Sequence, residues 1–358
     1  MNPKLIINLF KLRTNLDRLV DRCHAVGIKT AIVTKVFCAD ERICRMISES
    51  EADAFADSRV QNLAAIAELH SDKPTQLLRI SMQSEVEDVV RYADISMQSE
   101  KETIRLIGGA AKKLGKVHKI ILMVDMGDLR EGIFNTDEAQ IFSAAEAILA
   151  EPALEFHGIG VNLTCYGGII PDETNLGGLL AIADKLRKRY SVPLPIVSGG
   201  NSSMLTMLEE NRIPEGITQL RLGESFVLGN NTESGKPVEW LNTDCFTLEA
   251  ELVEVQRKPS KPIGTSGLNA FGERVTFEDC GEMIRGILAI GRQDVNPDGL
   301  TPLDPDVEII GASSDHLIVN LTNCKKYKVG DTLRFIPDYG ALLKLTTSKY
   351  VHREYAEQ

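Results

Sequence analysis

No stretch of this 358-residue chain approaches the roughly 18 to 20 consecutive apolar residues that a membrane-spanning helix needs, so no membrane association is expected. Cationic residues are in deficit. Against 51 Asp and Glu stand 40 Lys and Arg, a formal net charge of −11, and without a basic face nucleic acid is excluded as an expected partner. The seven cysteines (23, 38, 44, 165, 245, 280 and 324) contain no CxxC pair. Odd in number and scattered, they fit neither a zinc site nor a disulfide framework, and they predict reduced thiols in a cytoplasmic protein. A GxxxxGK[ST] phosphate loop is also missing. The opening MNPKLIINLFKLRTN holds only a short apolar patch, cut by Lys11 and Arg13, unlike a secretory signal. What is present, 43% apolar and 25% charged, is the composition of a folded globular protein of two domains.

The first two thirds alternates regularly. Strand-like runs occur at AIVTKV (31–36), DAFADS (53–58), TQLLRI (75–80), ADISMQ (93–98), KIILMVD (119–125), FHGIGVNL (156–163), PLPIVSG (193–199) and ITQLRLG (217–223). Between most of them apolar residues recur at helical spacing, as in Ile43, Met46 and Ile47, or Ile141, Ala144, Ala145 and Ile148. Ser99 with Glu102 resembles a capping pair. Eight strand–helix units match a (β/α)8 TIM-type barrel; an open doubly wound sheet shares the local pattern, but eight parallel strands favour closure. A literal repeat, ISMQSE at 80–85 and 95–100, suggests two equivalent strand-to-helix turns. After about residue 235 the helical period fades. Runs such as CFTLEAELVEV (245–255), GILAIG (286–291), VEIIGA (307–312) and HLIVNL (316–321) predict a smaller, mainly β domain, with VGDTLRFIPD (329–338) entering a further strand. The expected division is 1–234 and 235–358, through a linker-like stretch at 229–240.

In a barrel, chemistry sits at the C-terminal strand ends. The first strand closes on Lys35. Desolvation there lowers an amine's pKa, and such a lysine can form a Schiff base, although a lysine snorkelling to solvent is the plainer reading. The fifth strand runs into DMGDLREG (125–132), where flanking glycines let a turn present Arg130 to a carboxylate or phenolate; a surface turn explains it equally well. The seventh ends in SGGNSS (198–203), glycine, Asn and Ser ahead of a helix, which suits a phosphate or a simple cap. The eighth, QLRLGESFVLG (219–229), brings Arg221, Gly223 and Glu224 toward the same anion.

Together these residues resemble the fold-type III pyridoxal-phosphate enzymes, the alanine racemase group, and most closely its alanine/ornithine racemase branch. IINLFKLRTNLDRLV is similar to that family's first helix with its Asn, here Asn15. The resemblance implies pyridoxal 5'-phosphate held on Lys35. It places Arg130 at the cofactor's phenolic oxygen or the substrate carboxylate, and Arg221 at the pyridine nitrogen. The phosphate falls to Asn201, Ser202, the amides of Gly223 and Glu224, and Tyr350 in TTSKYVHRE. Four positions depart from the pattern. Met123 replaces a lysine carbamylated in many alanine racemases, Asn162 a His, and Ala39 a phosphate-binding Tyr, while Arg292 occupies the catalytic Tyr position. These departures point away from alanine as substrate.

Lys35 can move the Cα proton on one face. By the resemblance, the opposite-face acid/base comes from the β domain of a second subunit, which implies a homodimer. Asp294, Asp315 and His316 are the candidates, although His316 also suits a structural turn and Asp294 could instead bind a distal ammonium, with Ser314 and Asp315 beside it. Cys280 and Tyr166 are outsiders. The expectation is a metal-free racemase of a basic amino acid such as ornithine. Its rivals are a metal-dependent lyase of the D-threonine aldolase or D-serine dehydratase type, and a PLP-carrier protein, which would be a single domain.

Overall fold

The computed structural model describes residues 2–324 and 326–357. Two compact units result. One is Leu12–Thr243; the other joins the N-terminal residues through Lys11 to the chain from Asp244 onward. After strand β1 (Lys4–Asn8), which belongs to the second unit, helix α1 (Leu9–Ala25) leads into the alternation. It runs β2 (Lys29–Val33), α2 (Glu41–Ser48), β3 (Ala54–Asp57), α3 (Val60–Ala67), β4 (Thr75–Leu77), α4 (Val86–Tyr92), β5 (Ile95–Gln98), α5 (Lys101–Leu114) and β6 (His118–Asp125). It continues with β7 (Ile133–Phe134), α6 (Glu138–Leu149), β8 (Leu154–Gly160), α7 (Glu173–Tyr190), β9 (Ile196–Ser198), α8 (Leu205–Glu209), β10 (Gln219–Leu222) and α9 (Glu224–Leu228).

The strands pair in parallel in the order β5-β4-β3-β2-β10-β9-β8-β6, with short β7 beside β6, and the β5–β6 pairing closes the ring. This is a (β/α)8 barrel, and the open-sheet alternative is set aside. The helices start where the chemistry dictates. Asp40 caps α2 by accepting from the amides of Arg42 and Ile43, and Asp172 exchanges a capping box with Asn175 at α7. Inside the barrel Ile95, Met97, Ile121, Met123 and Ile196 form one packed cluster. Beside it runs a buried polar chain: Ser198 Oγ donates to Gln219 Oε1 at 2.9 Å, and Gln219 Nε2 to Gln76 Oε1 at 3.2 Å. These bonds offset much of the burial, although Gln76 Nε2 has no partner among the described residues.

Three local expectations change. The ISMQSE copies are not equivalent: the second is strand β5, whereas the first follows β4 as loop and a short turn at Gln83–Glu85. Arg79 pairs with Glu85 at 3.0 Å and holds that turn, and Ser81 and Gln98 bond one copy to the other at 2.6 Å. The Ser99–Glu102 cap is not made, since α5 begins after Glu100 with no side-chain cap. The stretch 229–240 is stitched into the barrel unit rather than left as a linker. Arg22 stacks its guanidinium 4.1 Å over Trp240, and Arg18 donates to the Trp240 carbonyl at 2.6 Å.

The second unit is antiparallel β with one helix: β11 (Phe246–Pro259), β12 (Glu282–Leu288), β13 (Leu300–Pro302), β14 (Glu308–Ala312), β15 (Leu317–Asn320), β16 (Thr332–Pro337), α10 (Tyr339–Thr347) and β17 (His352–Ala356). The main path is β13-β16-β11-β12-β15-β14. Strand β1 joins it antiparallel to β11 and parallel to β17. So Ile6, Ile7 and Asn8, expected to open the first helix, are strand residues; alternate residues of KLIIN are buried, which is the strand period.

Candidate active site

Lys35 does not close β2, which stops at Val33; it opens a short turn, Lys35–Phe37, that leaves through left-handed Cys38 and Ala39. Its base is fixed by Asp57 on the next strand. That fully buried carboxyl accepts from Thr34 Oγ1 at 2.5 Å, the Arg59 amide at 2.7 Å and Asn62 Nδ2 at 3.0 Å. Burial pushes the Asp57 pKa up despite these donors. On the other side β2 pairs with β10, and Gly223 sits so close that an added Cβ would lie 3.0 Å from Val33 Cβ. The ends bearing Lys35 and Gly223 are therefore neighbours.

The fifth barrel strand, β6, delivers Arg130. Asp125 Oδ1 accepts from the amides of Gly127 and Leu129, and the loop turns through left-handed Gly127, Leu129 and Gly132. At Gly132 a side chain would press to 2.6 Å from the Asp125 nitrogen, so glycine is required there. The buried Asp128 carboxylate ties this loop to the one after β8, accepting from the amides of Tyr166, Gly167 and Ile169. Arg130 grips Glu131 through both Nε and Nη2. Burial disfavours the Arg130 charge, but Glu131 outweighs it, and the guanidinium pKa stands above the ordinary arginine value.

Three further strand ends meet on Asn162. Its Nδ2 donates to Glu131 Oε1 at 3.1 Å, while its Oδ1 accepts from Asn201 Nδ2 at 3.0 Å and Arg221 Nη2 at 3.3 Å. Arg221 is buried, and also donates to Ser198 Oγ at 2.5 Å and the Val161 carbonyl at 2.7 Å. Desolvation pushes its pKa down to about 10, which still leaves it charged at neutral pH. Asn201 Oδ1 caps the turn Ser202–Met204 by accepting from the Ser203 amide at 2.8 Å. Ser202 Oγ gathers the amides of Gly223 (3.3 Å) and Ser225 (3.1 Å). Ser203 Oγ, on the same turn, is buried without a partner among the described residues. A buried hydroxyl without a partner, on the turn whose Ser202 Oγ draws in two strand-end amides, belongs to a donor set an anionic phosphate can take, so these residues fit the implied cofactor. Glu224, next in line, accepts from Thr232 Oγ1 at 3.3 Å.

The remaining candidates lie in the second unit. Buried Asp294 accepts from Ser348 Oγ at 2.6 Å, and Ser348 Oγ accepts from the Tyr350 amide at 3.1 Å. The Tyr350 side chain is 52% exposed. The turn before Asp294 pairs with the loop of Ser314 and Asp315 through Arg292 N to Ser313 O (2.8 Å) and Gln293 N to Ser314 O (3.0 Å). Ser314 Oγ donates to Asp315 Oδ2 at 2.7 Å, and His316 is exposed, its amide on Ser313 Oγ at 3.2 Å. Asp294, Ser314, Asp315 and Tyr350 thus share one region of that unit. Arg292 stacks 5.3 Å from the Phe271 ring. No further metal donor gathers at Asp315 and His316 among the described residues. Among the described residues the group close enough for an ion is Asp304, Asp306 and Cys324, and Asp304 already receives Lys326, Tyr327 and Cys324.

Sequence reasoning missed Glu131, Ser198, Ser225 and Ser348, and treated Asn162 only as a replaced residue. Glu131 is flagged only by following Arg130; the others depend on contacts between segments far apart in the sequence.

Residues 7–230 match the alanine racemase N-terminal domain family. The chain is 48% identical over 355 residues to the ornithine racemase of Acetoanaerobium sticklandii, covering 99% of each. It is 38% identical over 353 residues to the lysine racemase of Thermotoga maritima, covering 99% of this chain and 98% of that one. Among solved structures, the alanine racemase of Streptomyces coelicolor A3(2) superposes with a TM-score of 0.76 at 18% identity, covering 99% and 98% of the two chains.

Proposed function

The chain belongs to the alanine racemase family and is an amino-acid racemase, and we propose that it interconverts the L and D forms of a basic amino acid, ornithine foremost, with pyridoxal 5'-phosphate as cofactor. One observation carries the reading: Lys35, Arg130, Asn201, Ser202, Arg221 and Gly223 stand on the turns and strand ends at one rim of a single closed barrel. The basic substrate rests on the similarity to ornithine and lysine racemases.

When bound, the cofactor makes the Cα–H of an attached amino acid acidic. Lys35 Nζ holds it, then takes or returns that proton on one face. Asn201, Ser202, Ser203, the Gly223 and Glu224 amides and Tyr350 bind its phosphate. Arg221, charged and immobilised by three hydrogen-bond acceptors, would hold the pyridine nitrogen as a donor and so would leave it unprotonated. That choice favours proton transfer over decarboxylation. Arg130 binds the substrate carboxylate or the phenolic oxygen. Asp294 or His316 serves the opposite face, or Asp294 with Ser314 and Asp315 takes the distal ammonium. In this reading the protein is a cytoplasmic homodimer, with the barrel unit, Leu12–Thr243, as the cofactor domain and the second unit completing the partner's site.

Purified protein supplied with pyridoxal phosphate is incubated in deuterium oxide with each proteinogenic amino acid and ornithine, followed by chiral chromatography. Ornithine should lose optical purity with deuterium at Cα. Cleavage products, or exchange with no racemisation of any amino acid, would refute the assignment.

A further inference from the structure

We infer that Glu131 is a positioning residue, an anion that fixes the orientation of Arg130 directly and of Arg221 through Asn162. The inference rests on the reading that those two arginines face cofactor and substrate. Consecutive residues in extended chain point to opposite sides, yet Arg130 and Glu131 converge, because left-handed Leu129 and Gly132 bend the loop on either side of them. The contact is two-pronged, through Nε and Nη2, which sets the plane of the guanidinium as well as its place. Glu131 is the more shielded partner, its side chain 19% exposed against 37% for Arg130.

Glu131 then acts at a distance. Because its carboxylate can only accept, Asn162 must turn Nδ2 toward it, at 3.1 Å. That leaves Asn162 Oδ1, and no donor, facing Arg221 Nη2 and Asn201 Nδ2. A neutral amide at position 131 removes this constraint. The asparagine could then flip and aim a donor at a buried guanidinium. Glu131 also supports the Arg221 charge against burial, whereas Arg130 opposes it. One carboxylate between two cations therefore sets the alignment of a binding arginine, a buried arginine and the phosphate turn.

The test begins on the apo protein, with no turnover required. Phenylglyoxal attacks the unprotonated guanidine, so its rate at Arg130, read by peptide mass spectrometry, reports the hold of Glu131. Glu131→Gln should raise that rate several-fold, with the rate at exposed Arg105 and the melting temperature unchanged. With cofactor, the same variant should raise the substrate KM about tenfold, the size of a lost charge-assisted hydrogen bond, and Glu131→Asp should recover part of it. Should Glu131→Gln not fold, Asn162→Ala keeps both charges. It should weaken pyridoxal phosphate binding while Arg130 reactivity stays at the wild-type rate. An unchanged Arg130 rate in Glu131→Gln, unchanged cofactor affinity in Asn162→Ala, or equal KM for the Gln and Asp variants overturns the role. Wild-type protein that takes up no cofactor overturns the functional reading instead, and leaves the Arg130 measurement standing.

Discussion

Asp294 Oδ1 and the Tyr350 amide share one hydroxyl, Ser348 Oγ, which donates to the first at 2.6 Å and accepts from the second at 3.1 Å. The carboxylate expected to meet substrate is thereby tied to the turn after α10 that carries the tyrosine expected to meet phosphate. If Asp294 receives the distal ammonium, Asp294→Asn should cut ornithine kcat/KM relative to alanine by about 1 to 3 kcal/mol, roughly five- to over a hundredfold. Ser348→Ala, which leaves the charge but not its anchor, should have a smaller effect in the same direction. Steady-state kinetics with both substrates decides it. Loss of Cα exchange from one face only in Asp294→Asn would make this residue the acid/base and not the specificity group.

Lys35 carries the second prediction. Borohydride reduction of the yellow protein should fix the cofactor to the peptide containing Lys35. Lys35→Ala should lose colour retention and slow turnover by about a hundredfold or more, as removal of a general base does. A reduced adduct on any other lysine ends the reading.

How much of this was written in the chain depends on the range of the contact. The barrel strands are legible because each apolar run is bounded by a helix of its own period, a local pattern. Strand β1 is not, because KLIIN runs into α1 with no breaker, and its partners Phe246–Glu249 and His352–Ala356 lie at the far end of the chain. The ISMQSE copies diverge for the same reason: ISMQ is strand in one place, while the other copy runs as loop and turn, through their neighbours. Lys35, Arg130, Asn201 and Arg221 were proposed from motifs that are contiguous in the chain, near the strand ends. Glu131 and Asn162 were not, since their roles exist only once closure brings the ends of β6, β8 and β10 together.

If the second unit completes a partner's site, two defective variants should repair each other. Lys35→Ala and Asp294→Ala, each impaired on ornithine, are mixed after dissociation and reassociated. Half the dimers are then hybrids with one intact site each, so activity should return to about a quarter of wild type. Activity no higher than the mean of the parents would place both residues in the same subunit's site.

The last prediction concerns stability rather than turnover. His118, at the start of β6, is 1% exposed and bonded to Ser96 Oγ at 2.8 Å. Desolvation pushes its pKa down to about 4 from 6.5, and Lys116 adds to the effect. The folded state therefore keeps this imidazole neutral where the unfolded chain would protonate it. Above pH 6.5 neither state binds the proton, and the stability His118 contributes is fully present. As the pH falls from 6.5 toward 4 the unfolded state gains a proton the folded state refuses, and stability drains away. At 1.36 kcal/mol per unit, the full loss is about 3 kcal/mol. Carboxylates also titrate at the acid end, so the informative quantity is a difference between proteins. His118→Gln should be less stable than wild type at pH 7.5, and the gap should narrow steadily on acidification to pH 4.5 in urea unfolding of the apo protein. Parallel curves across that range would mean that His118 is either accessible to protons when folded or titrates normally.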